Sequence, residues 1–490
     1  MTEPHRLSTL GLHGVRDPLI TGIAVDSRQV RDGFLFAALP GSETHGAEFI
    51  TYALRQGAAA VLTDREGAAI AGGLLADSDV VAIVVDDPRA ALAGAAALWF
   101  GRQPETMVAV TGTSGKTSVA SFIRQIWQAL GHKAISLGTM GVIGDYQAKL
   151  AHTTPEPITL HRVLSEAAAA GVTHAAMEAS SHGLDQRRLD GVSLVAGGFT
   201  NFSQDHLDYH KDFDSYFAAK ALLFNHILDE DAIAVINTDS PRGRQMRDIA
   251  LDAGQGVISV GRGEDCELQI LAQRYDATGQ ELRARIMGQT HLLRLNLIGG
   301  FQAENVLLAA GLAIAAGDET ARVIATLPEL ATVPGRMQLA ATRDNGAAVF
   351  VDYAHKPGAV IAALQSLRPH VMGRIIAVIG AGGDRDRGKR PLMGQAAAEH
   401  ADVVIVTDDN PRTEDPALIR AAVMEGCPEA TEIGDRAEAI LRGVDALEPG
   451  DALLIMGKGH ESGQIVGHDV YPFDDVEQAS VAVAALDGKI

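Results

Sequence analysis

Cysteine is almost absent from this 490-residue chain, because Cys266 and Cys427 are the only two and form no CxxC motif. This argues against a disulfide framework or a thiolate metal site and fits a reducing cytoplasm. Long apolar runs are missing as well, since the longest, around residues 306–316, falls well short of the roughly 20 residues that a membrane-spanning helix needs. Residues 1–15 carry no apolar run of the signal-peptide type. We therefore expect a cytoplasmic protein that does not act at a membrane.

Basic residues are also scarce relative to acidic ones, with 41 Lys and Arg against 62 Asp and Glu, a formal charge of −21. This balance argues against a surface for nucleic acid or anionic membrane, so an anionic ligand must meet a local basic site. Aromatic residues make up only 4% of the chain, while hydrophobic residues reach 47%. The composition indicates closely packed elements, as where helices cover a parallel sheet.

The length of the chain predicts more than one hydrophobic core. We divide it into three segments, residues 1–102, 103–331 and 332–490, separated by turn-rich stretches at 101–104 and 327–335. Short apolar strands alternate with helix-length stretches in each segment, for example at 34–37, 80–85, 107–110, 375–379 and 452–456. This alternation predicts an α/β fold with parallel sheets.

A glycine-rich loop, Thr111-Gly-Thr-Ser-Gly-Lys-Thr-Ser118, directly follows an apolar strand and precedes an amphipathic helix pattern. Glycines at 112 and 115 let backbone N–H groups converge on phosphate oxygens, and the helix N-terminus adds positive potential. Lys116 can reach the β- and γ-phosphates, and the Thr117 hydroxyl can bind Mg²⁺. The loop has two residues between its glycines where the usual Walker A motif has four, and a plain glycine turn is the alternative.

Three acidic or basic features lie downstream of this loop. Glu178 is expected just past the end of an apolar strand, where α/β folds place their ligand crevice, and is either a Mg²⁺ ligand or an ordinary acid. The run Asp205-His-Leu-Asp-Tyr-His210 is rich in donor atoms but is also compatible with a solvated loop. Lys220 interrupts an apolar helix, and periodicity alone favours a lysine that snorkels to solvent.

These motifs resemble, in order and spacing, those of the Mur ligases. The similar stretches are Asp26-Ser-Arg28, Gly41 to Gly46, Gly112 to Thr117, Glu178-Ala-Ser-Ser-His-Gly183, Thr200-Asn201, Asp205 to His210, Lys220, Val333-Pro-Gly-Arg-Met337, Asp352-Tyr-Ala-His355, Gly382 to Asp386, Asp409-Asn-Pro-Arg412 and Gly457-Lys-Gly-His-Glu461. The resemblance spans nearly the whole chain. It implies three domains: an N-terminal UDP-binding domain, a central ATPase domain with a parallel sheet, and a C-terminal Rossmann-like domain.

The resemblance implies an ATP site and a site for Mg²⁺. The ATP-binding residues would be Gly112, Thr113, Ser114, Gly115, Lys116, Thr117, Ser118, Asn305, Arg336 and Asp352. Thr117 and Glu178 would hold one Mg²⁺, and His206 a second. Lys220 would be carbamylated to N6-carboxylysine, because a carbamate attracts the metal that an ammonium repels. Lys116, Lys220 and His206 would be the catalytic side chains.

The resemblance also implies the two other substrates, UDP-MurNAc-L-Ala-D-Glu and meso-diaminopimelate. The residues binding the first would be Val25, Ser27, Ser42, Glu43, Thr44, Thr153, Thr154, Ser180, Gln186 and Arg188. Those binding the second would be Arg385, Asp409, Asn410, Pro411, Arg412, Gly457 and Glu461. The Arg412 guanidinium would grip a distal carboxylate that lysine lacks, so lysine would leave a cation unpaired.

The implied reaction phosphorylates the D-Glu γ-carboxylate and then forms an amide with diaminopimelate, in a protein expected to be a monomer. A lysine-adding Mur ligase and a ligase like folylpolyglutamate synthase are the related alternatives. A P-loop switch ATPase is the alternative of another class, but it would leave Lys220 and the Arg412 motif unexplained. Ser240, Gln302 and Gln338 depart from the common family pattern near the nucleotide.

Overall fold

The computed structural model describes residues 3–41, 44–76, 79–203 and 209–489. The strands, in chain order, are β1 His5–Arg6, β2 Leu19–Ile20, β3 Gly22–Ala24, β4 Phe34–Ala37, β5 Ala60–Thr63, β6 Val81–Val84, β7 Thr106–Thr111, β8 Ala134–Gly138, β9 Gly141–Gly144, β10 His174–Glu178, β11 Ala196–Phe199, β12 Ile233–Asn237, β13 Gly256–Gly261, β14 Leu268–Asp276, β15 Gly279–Ile286, β16 Gln289–Leu295, β17 Gln338–Thr342, β18 Ala348–Asp352, β19 Ile375–Ile379, β20 Val403–Val406, β21 Thr431–Glu432, β22 Ala452–Met456, β23 Gly463–Val466 and β24 Asp469–Pro472. The α-helices are α1 Ile50–Arg55, α2 Arg65–Ala71, α3 Gly73–Ala76, α4 Pro88–Phe100, α5 Lys116–Ala129, α6 Pro157–Ala169, α7 Ser181–Asp185, α8 Phe213–Leu222, α9 Pro241–Asp252, α10 Phe301–Ala315, α11 Thr320–Thr326, α12 Pro357–Leu367, α13 Lys389–His400, α14 Pro416–Met424, α15 Arg436–Asp445 and α16 Asp475–Leu486.

The chain divides into two compact units. The first consists of Met1–Gln269 and Asn305–Thr326, and the second of Ile270–Glu304 and Leu327–Ile490. The predicted α/β class is confirmed in both. The three-domain division at residues 102 and 331 remains a prediction, because the two compact units do not test where those three domains begin and end. Within the described residues, no helix is long and apolar enough to cross a membrane.

The first unit begins with a small parallel sheet in the order β3-β4-β5-β6. Apolar side chains on its two faces form separate clusters, one with Trp99 of α4 and one with Ile50 of α1. Strand β4 has the predicted bounds, whereas β6 loses one residue at each end of the predicted 80–85 run. The short apolar runs therefore sufficed to locate this sheet.

The central sheet of the first unit runs in the order β13-β12-β11-β7-β10-β8-β9. All its neighbours are parallel except β9, which forms an antiparallel pair with β8. Strand β7 is central, and β10 and β11 pair with its two sides. The carboxyl ends of these strands meet at one edge, where α/β folds bind ligands.

The prediction of continued β/α alternation to residue 330 is wrong for residues 268–295. The strands β14, β15 and β16 follow one another without a helix, and β15 and β16 are antiparallel. Met287 and Gly288 both have positive φ, +46° and +82°, which suits a two-residue hairpin turn. Polar residues alternate with apolar ones along β15, a half-buried pattern that the search for continuous apolar runs overlooked.

The second unit contains a sheet in the order β17-β18-β22-β19-β20-β21, parallel except for the edge strand β17. Strands β19 and β22 have the predicted bounds, because both are continuous apolar runs that are fully buried. Beside this sheet, Arg436 and Asp475 form a bidentate ion pair with N–O distances of 2.7 Å and no exposed side-chain surface. This pair joins the start of α15 to the start of α16.

We predict that Asp475→Ala strongly destabilises the protein, because it leaves the Arg436 cation buried without its partner. The expected loss is about 3–5 kcal/mol of unfolding free energy, measured by urea denaturation. The control is Glu438→Ala, which removes a pair with Arg442 whose side chains are 52% and 65% exposed. That change should cost at most about 1 kcal/mol. Equal losses in the two variants would contradict the importance of the buried pair.

Candidate functional site: a phosphate loop and an amino-acid pocket

The glycine loop connects β7 to α5, as predicted. Gly112 has φ +139° and Gly115 has φ +88°, conformations that L side chains rarely adopt. Space is also lacking, since a Cβ on Gly112 would lie 1.9 Å from the Thr200 hydroxyl and one on Gly115 2.5 Å from Asn305 Oδ1. The sequence therefore needs glycine at both positions for conformational and steric reasons. Asn305, predicted to bind ATP, lies directly beside the loop.

Residues after β11 brace this loop from one side. The Thr200 hydroxyl donates to the Ser114 carbonyl at 2.6 Å, and the Ser114 amide donates to Asn201 Oδ1 at 3.0 Å. The Thr113 amide donates to the Asn201 carbonyl at 2.9 Å. The sequence analysis quoted Thr200 and Asn201 only as part of a family motif. Their structural task is to hold the loop backbone in place.

Two lysine ammonium groups donate to loop carbonyls. Lys116 Nζ donates to the carbonyls of Gly112 and Thr113, both at 2.9 Å. Lys220 Nζ donates to the same Gly112 carbonyl at 2.7 Å and lies 4.5 Å from the centroid of the Tyr216 ring. Lys220 is only 1% exposed, so the interpretation as a snorkelling lysine is wrong. The two ammonium groups therefore place positive charge next to the loop that we expect to bind phosphates.

Glu178 is the last residue of β10. The sequence analysis had placed it just past the end of this strand. Its Oε2 accepts a hydrogen bond from the Thr117 hydroxyl at 3.0 Å, and its Oε1 accepts one from the Thr139 amide at 2.8 Å. A Cβ on Gly138 would lie 2.0 Å from Oε1, so only glycine leaves room for this carboxylate. Glu178 is 2% exposed and points into the loop region.

Thr139 was missed by the sequence analysis. It follows β8 and contacts Glu178, while its hydroxyl lies 3.1 Å from that of Thr153. Threonine directly after Gly138 at the end of an apolar strand was the available signal, because this strand ends at the same sheet edge as β7 and β10.

The donors at this edge fit a Mg²⁺ ion. The Thr117 hydroxyl and the Glu178 carboxylate are hard oxygen ligands held within 3.0 Å of each other. Mg²⁺ commonly takes one or two protein oxygens and completes its shell with water and substrate phosphates. His206, predicted to hold a second ion, lies outside the described residues.

Four of the residues predicted to bind the sugar-peptide form one hydrogen-bond chain beside Glu178. The Thr154 hydroxyl donates to the Glu178 carbonyl at 2.9 Å and accepts from the Ser180 hydroxyl at 3.0 Å. Arg188 Nη1 donates to the Thr154 carbonyl at 2.6 Å, and its other nitrogens donate to Gln186 Oε1. Burial lowers the pKa of Arg188, and the neighbouring Arg89 lowers it further. A bound anion would therefore stabilise the charged form of Arg188.

The predicted nucleotide-sugar residues of the first segment follow two adjacent parallel strands. Val25 and Ser27 come directly after β3, and Thr44 lies in the connection that follows β4. Ser42 and Glu43 lie outside the described residues. The Arg187 side chain forms an ion pair with Asp87 at 3.2 Å and joins this first segment to the loop after α7.

The second unit contains the predicted amino-acid site. Asp409 and Asn410 are buried behind β20, whereas Arg385 lies on the exposed surface. Arg412 has φ +51°, and its guanidinium donates to the Gly383 carbonyl at 2.8 Å. In the described part of the chain, no acidic side chain forms an ion pair with Arg412. A partly buried cation is thus available to a carboxylate.

Two residues of the predicted amino-acid site, Asp409 and Glu461, are acidic. Burial raises the pKa of Asp409, while Arg436 and Lys458 oppose the shift. A Cβ on Gly457 would lie 2.4 Å from Asp409 Oδ2, which explains the need for glycine there. Glu461 Oε2 accepts from Asn410 Nδ2 at 2.8 Å. The predicted site therefore contains both a guanidinium and carboxylates, the groups needed to bind a zwitterionic amino acid. Pro411, also predicted for this site, directly precedes Arg412.

Arg336 and Asp352 form a separate cluster in the second unit. The Arg336 guanidinium lies 4.9 Å from the centroid of the Tyr353 ring. Asp352 accepts backbone hydrogen bonds from Met337 and Ala354, both at 2.8 Å. Burial raises the pKa of Asp352, and the charge of Arg336 opposes the rise. The two predicted ATP residues thus interact electrostatically.

Two of the three residues that depart from the family pattern, Ser240 and Gln338, have a local structural role. Ser240 caps α9, because its hydroxyl accepts from the Gly243 amide at 3.0 Å. Gln338 Oε1 accepts from the Gly335 amide at 2.7 Å and holds the bend before β17. Gln302 is 1% exposed at the start of α10. All three are built into the fold.

A strand, a phosphate loop and a helix, with a carboxylate on the neighbouring strand, define a nucleotide-binding protein of the P-loop type. Three family models narrow this class: "Mur ligase family, catalytic domain" matches residues 19–99, "Mur ligase middle domain" matches 110–313, and "Mur ligase, glutamate ligase domain" matches 335–459. The chain belongs to the Mur ligase family.

Curated relatives and solved structures agree with this assignment. The UDP-N-acetylmuramoyl-L-alanyl-D-glutamate–2,6-diaminopimelate ligase of Brucella melitensis is 50% identical, covering 95% of this chain and 94% of the relative. The ligase of the same name from Caulobacter vibrioides is 49% identical, covering 96% and 97%. A solved structure with that name is 33% identical and covers 99% of both chains with a TM-score of 0.73. A folylpolyglutamate synthase from Mycobacterium tuberculosis, 19% identical with a TM-score of 0.60, shares the fold.

We predict that Gly112→Ala abolishes ADP binding, because the new Cβ would collide with Thr200 and strain the loop. The matched control is Gly131→Ala, since Gly131 also has positive φ, +94°, but nothing lies within 4 Å of its Cβ position. Isothermal titration calorimetry should show normal ADP binding by the control and none by Gly112→Ala. Comparable affinity in the two variants would show that the loop does not bind the nucleotide.

Proposed function

We propose that this protein joins the γ-carboxylate of the D-Glu residue in UDP-MurNAc-L-Ala-D-Glu to an amino group of meso-diaminopimelate. The reaction consumes ATP, releases ADP and phosphate, and belongs to peptidoglycan precursor synthesis. The relatives that share about half of its residues along almost their whole length carry this activity in their names. The observation in the molecule that carries the proposal is the partly buried Arg412 guanidinium, which donates to the Gly383 carbonyl and has no acidic partner among the described residues.

The first part of the site holds ATP. Residues 112–118 surround the β- and γ-phosphates, although the Thr113 and Ser114 amides are bonded to Asn201. Lys116 releases its loop carbonyls to bind phosphate oxygen. Asn305 lies next to Gly115 and contacts the adenine. Arg336 and Asp352 are the other two residues that we assign to ATP binding. Thr117 and Glu178 hold Mg²⁺, which supplies charge neutralisation and polarises the γ-phosphate when bound.

The chemistry proceeds in two steps. A γ-carboxylate oxygen attacks the γ-phosphorus of ATP, the bond to the β-phosphate oxygen breaks, and ADP departs, leaving an acyl phosphate. The neutral amine then attacks the acyl carbon, loses its proton, and expels inorganic phosphate from a tetrahedral intermediate. Lys116 offsets the charge on the transferring phosphoryl group. The other side chains contribute by positioning, because no covalent nucleophile of the protein is needed.

Lys220 takes part as N6-carboxylysine. Its ammonium is buried against the Gly112 carbonyl, so it is held close to the phosphate loop. The ammonium first loses a proton to solvent, and the neutral amine then adds to CO₂ with loss of a second proton. The resulting carbamate, together with His206, would hold a second metal. The position of Lys220 beside the phosphate loop supports this proposal.

The choice of amino acid follows from Arg412 and Asn410. Both can donate hydrogen bonds to the distal carboxylate of diaminopimelate, and lysine would leave these donors unpaired. Arg385, Asp409, Gly457 and Glu461 complete the pocket, with the carboxylates facing the ammonium groups. The lysine-adding and folate-type alternatives are disfavoured by Arg412 and by the nucleotide-sugar domain, and a switch ATPase by the amino-acid pocket as a whole.

The nucleotide-sugar substrate binds to the first unit. Val25, Ser27 and Ser42 to Thr44 line the uracil and diphosphate, and Thr153, Thr154, Ser180, Gln186 and Arg188 contact the sugar-peptide. We further propose that the three domains end at residues 102, 331 and 490. The protein acts as a cytoplasmic monomer without nucleic-acid or membrane partners.

We predict that purified protein releases ADP only when both the UDP-MurNAc-dipeptide and meso-diaminopimelate are present, and that L-lysine is a poor substitute. Arg412→Ala should raise the KM for diaminopimelate roughly 10- to 100-fold, the loss expected for hydrogen bonds to a charged group. The control is Arg442→Ala, whose side chain is 65% exposed in a surface pair. A preference for lysine, or an unchanged KM in Arg412→Ala, would overturn the selectivity.

We predict that Lys220→Ala lowers kcat by at least about 100-fold, a loss typical of a group that acts on transition-state charge, and that added bicarbonate does not restore it. Coupled ADP-release assays measure the rate. Lys489→Ala is the control, since that lysine is about half exposed and pairs with Asp344. Normal turnover by the Lys220 variant would remove the carbamate from the mechanism.

A further inference from the structure

Lys458 is a buried cation between residues of the amino-acid site. Its side chain has no exposed surface, and its Nζ donates to Asn410 Oδ1 at 3.3 Å and to the Gly463 carbonyl. Glu461 Oε2 lies 3.5 Å from the same Nζ. The buried ammonium cannot contact a substrate from this position. Two of its three partners, Asn410 and Glu461, are residues that we expect to contact the amino-acid substrate.

These contacts fix the orientation of the Asn410 amide. Asn410 Oδ1 accepts from Lys458 Nζ and also from the Ile465 amide at 2.9 Å. Both neighbours can only donate, so a flipped amide would place its NH₂ group against a cation and an N–H group. The oxygen must therefore face Lys458, and the nitrogen must face the opposite side.

The NH₂ group of Asn410 consequently faces Glu461 and the pocket. One N–H donates to Glu461 Oε2 at 2.8 Å. The other N–H has no hydrogen-bond partner within the parts of the chain that the structure describes, although Asn410 is only 4% exposed. A buried donor without a partner is costly, and a ligand carboxylate would satisfy it.

Lys458 also orders the segment that follows. Its bond to the Gly463 carbonyl, together with the Ile465 amide on Asn410, ties residues 463–465 to the Asn410 side chain. The neighbouring backbone bond from the Arg412 amide to the Ile465 carbonyl, 3.0 Å, connects the same segment to Arg412. Both expected carboxylate donors are thus anchored to one ordered segment.

We propose that Lys458 is a positioning residue for the amino-acid substrate: it locks the Asn410 amide so that an N–H is presented to a substrate carboxylate beside Arg412. This inference rests on the proposed function. It deepens it by naming a side chain that sets affinity for the carboxylate without touching it. A purely structural role would instead affect stability and all three substrates alike.

The test compares Lys458→Met with the unchanged protein, in steady-state assays of ADP release with each substrate varied in turn. Methionine keeps the length of the side chain and removes its hydrogen bonds and charge. The KM for meso-diaminopimelate should rise roughly tenfold or more, the effect of a lost charge-assisted hydrogen bond, whereas the KM for ATP stays within about twofold. An unchanged KM for diaminopimelate, or equal increases for all three substrates, would overturn the inference.

The matched control is Arg343→Met. Arg343 is another cation of the second unit with a side chain 15% exposed, and it donates to the Val444 carbonyl and to Asp487. It contacts none of the amino-acid-site residues in the described structure. It should lower the melting temperature without changing the KM for diaminopimelate, and a rise in that KM would count against a specific role for Lys458.

A double-mutant cycle tests whether Lys458 acts through Asn410. Because Asn410→Ala removes the amide that Lys458 orients, adding Lys458→Met to it should change the KM by no more than about twofold. Independent, multiplicative effects would contradict the mechanism. If Lys458→Met yields no folded protein, Lys458→Leu decides, since leucine is smaller and likewise offers no donor to Asn410 Oδ1: a raised KM for diaminopimelate at an unchanged KM for ATP supports the inference, and an unchanged KM for diaminopimelate overturns it.

The two levels of the proposal fail separately. If the unaltered protein forms no amide from the three substrates, the proposed function fails. If it forms the amide but the Lys458 variants keep their affinity for diaminopimelate, only the positioning role fails.

Discussion

The phosphate loop depends on two positions, 112 and 115, at which only glycine fits. Thr200 and Asn305 occupy the space in which Cβ atoms of residues 112 and 115 would otherwise stand. The Lys116 and Lys220 ammonium groups donate to carbonyls of the same loop. Everything that follows in the mechanism requires a triphosphate held by this backbone, next to the Glu178 carboxylate.

Cationic side chains are placed locally in this acidic chain. The net charge is −21, yet buried or half-buried cations stand wherever an anion is expected. In the first unit these are Lys116 and Arg188, and in the second unit Arg412. Buried cations are costly unless they are compensated. Carbonyl groups compensate Lys116 and Arg412, and neither group competes with an incoming anion as a carboxylate would. The protein thus keeps local cations available without becoming basic overall.

The sequence predicted continuous apolar strands well, because burial on both faces gives an unambiguous run. Strands β19 and β22 have the expected bounds, and the glycine loop lies where its flanking strand and helix required. Periodicity failed for Lys220, since its partner, the Gly112 carbonyl, is 108 residues away in the chain. The same limit hid Thr139 and Lys458, whose importance arises from contacts between distant segments. The hairpin at 279–295 was missed because its alternating pattern is weaker than that of a buried strand.

The central claim is that a substrate carboxylate takes the γ-phosphoryl group before it meets the amine. Isotope transfer measures this most directly. With ¹⁸O in both oxygens of the D-Glu γ-carboxylate, the account predicts that each phosphate released with meso-diaminopimelate carries one ¹⁸O atom, and that the amide retains the other. Phosphate without the label, released at the same rate as the amide, would mean that water cleaves ATP and would contradict the acyl phosphate.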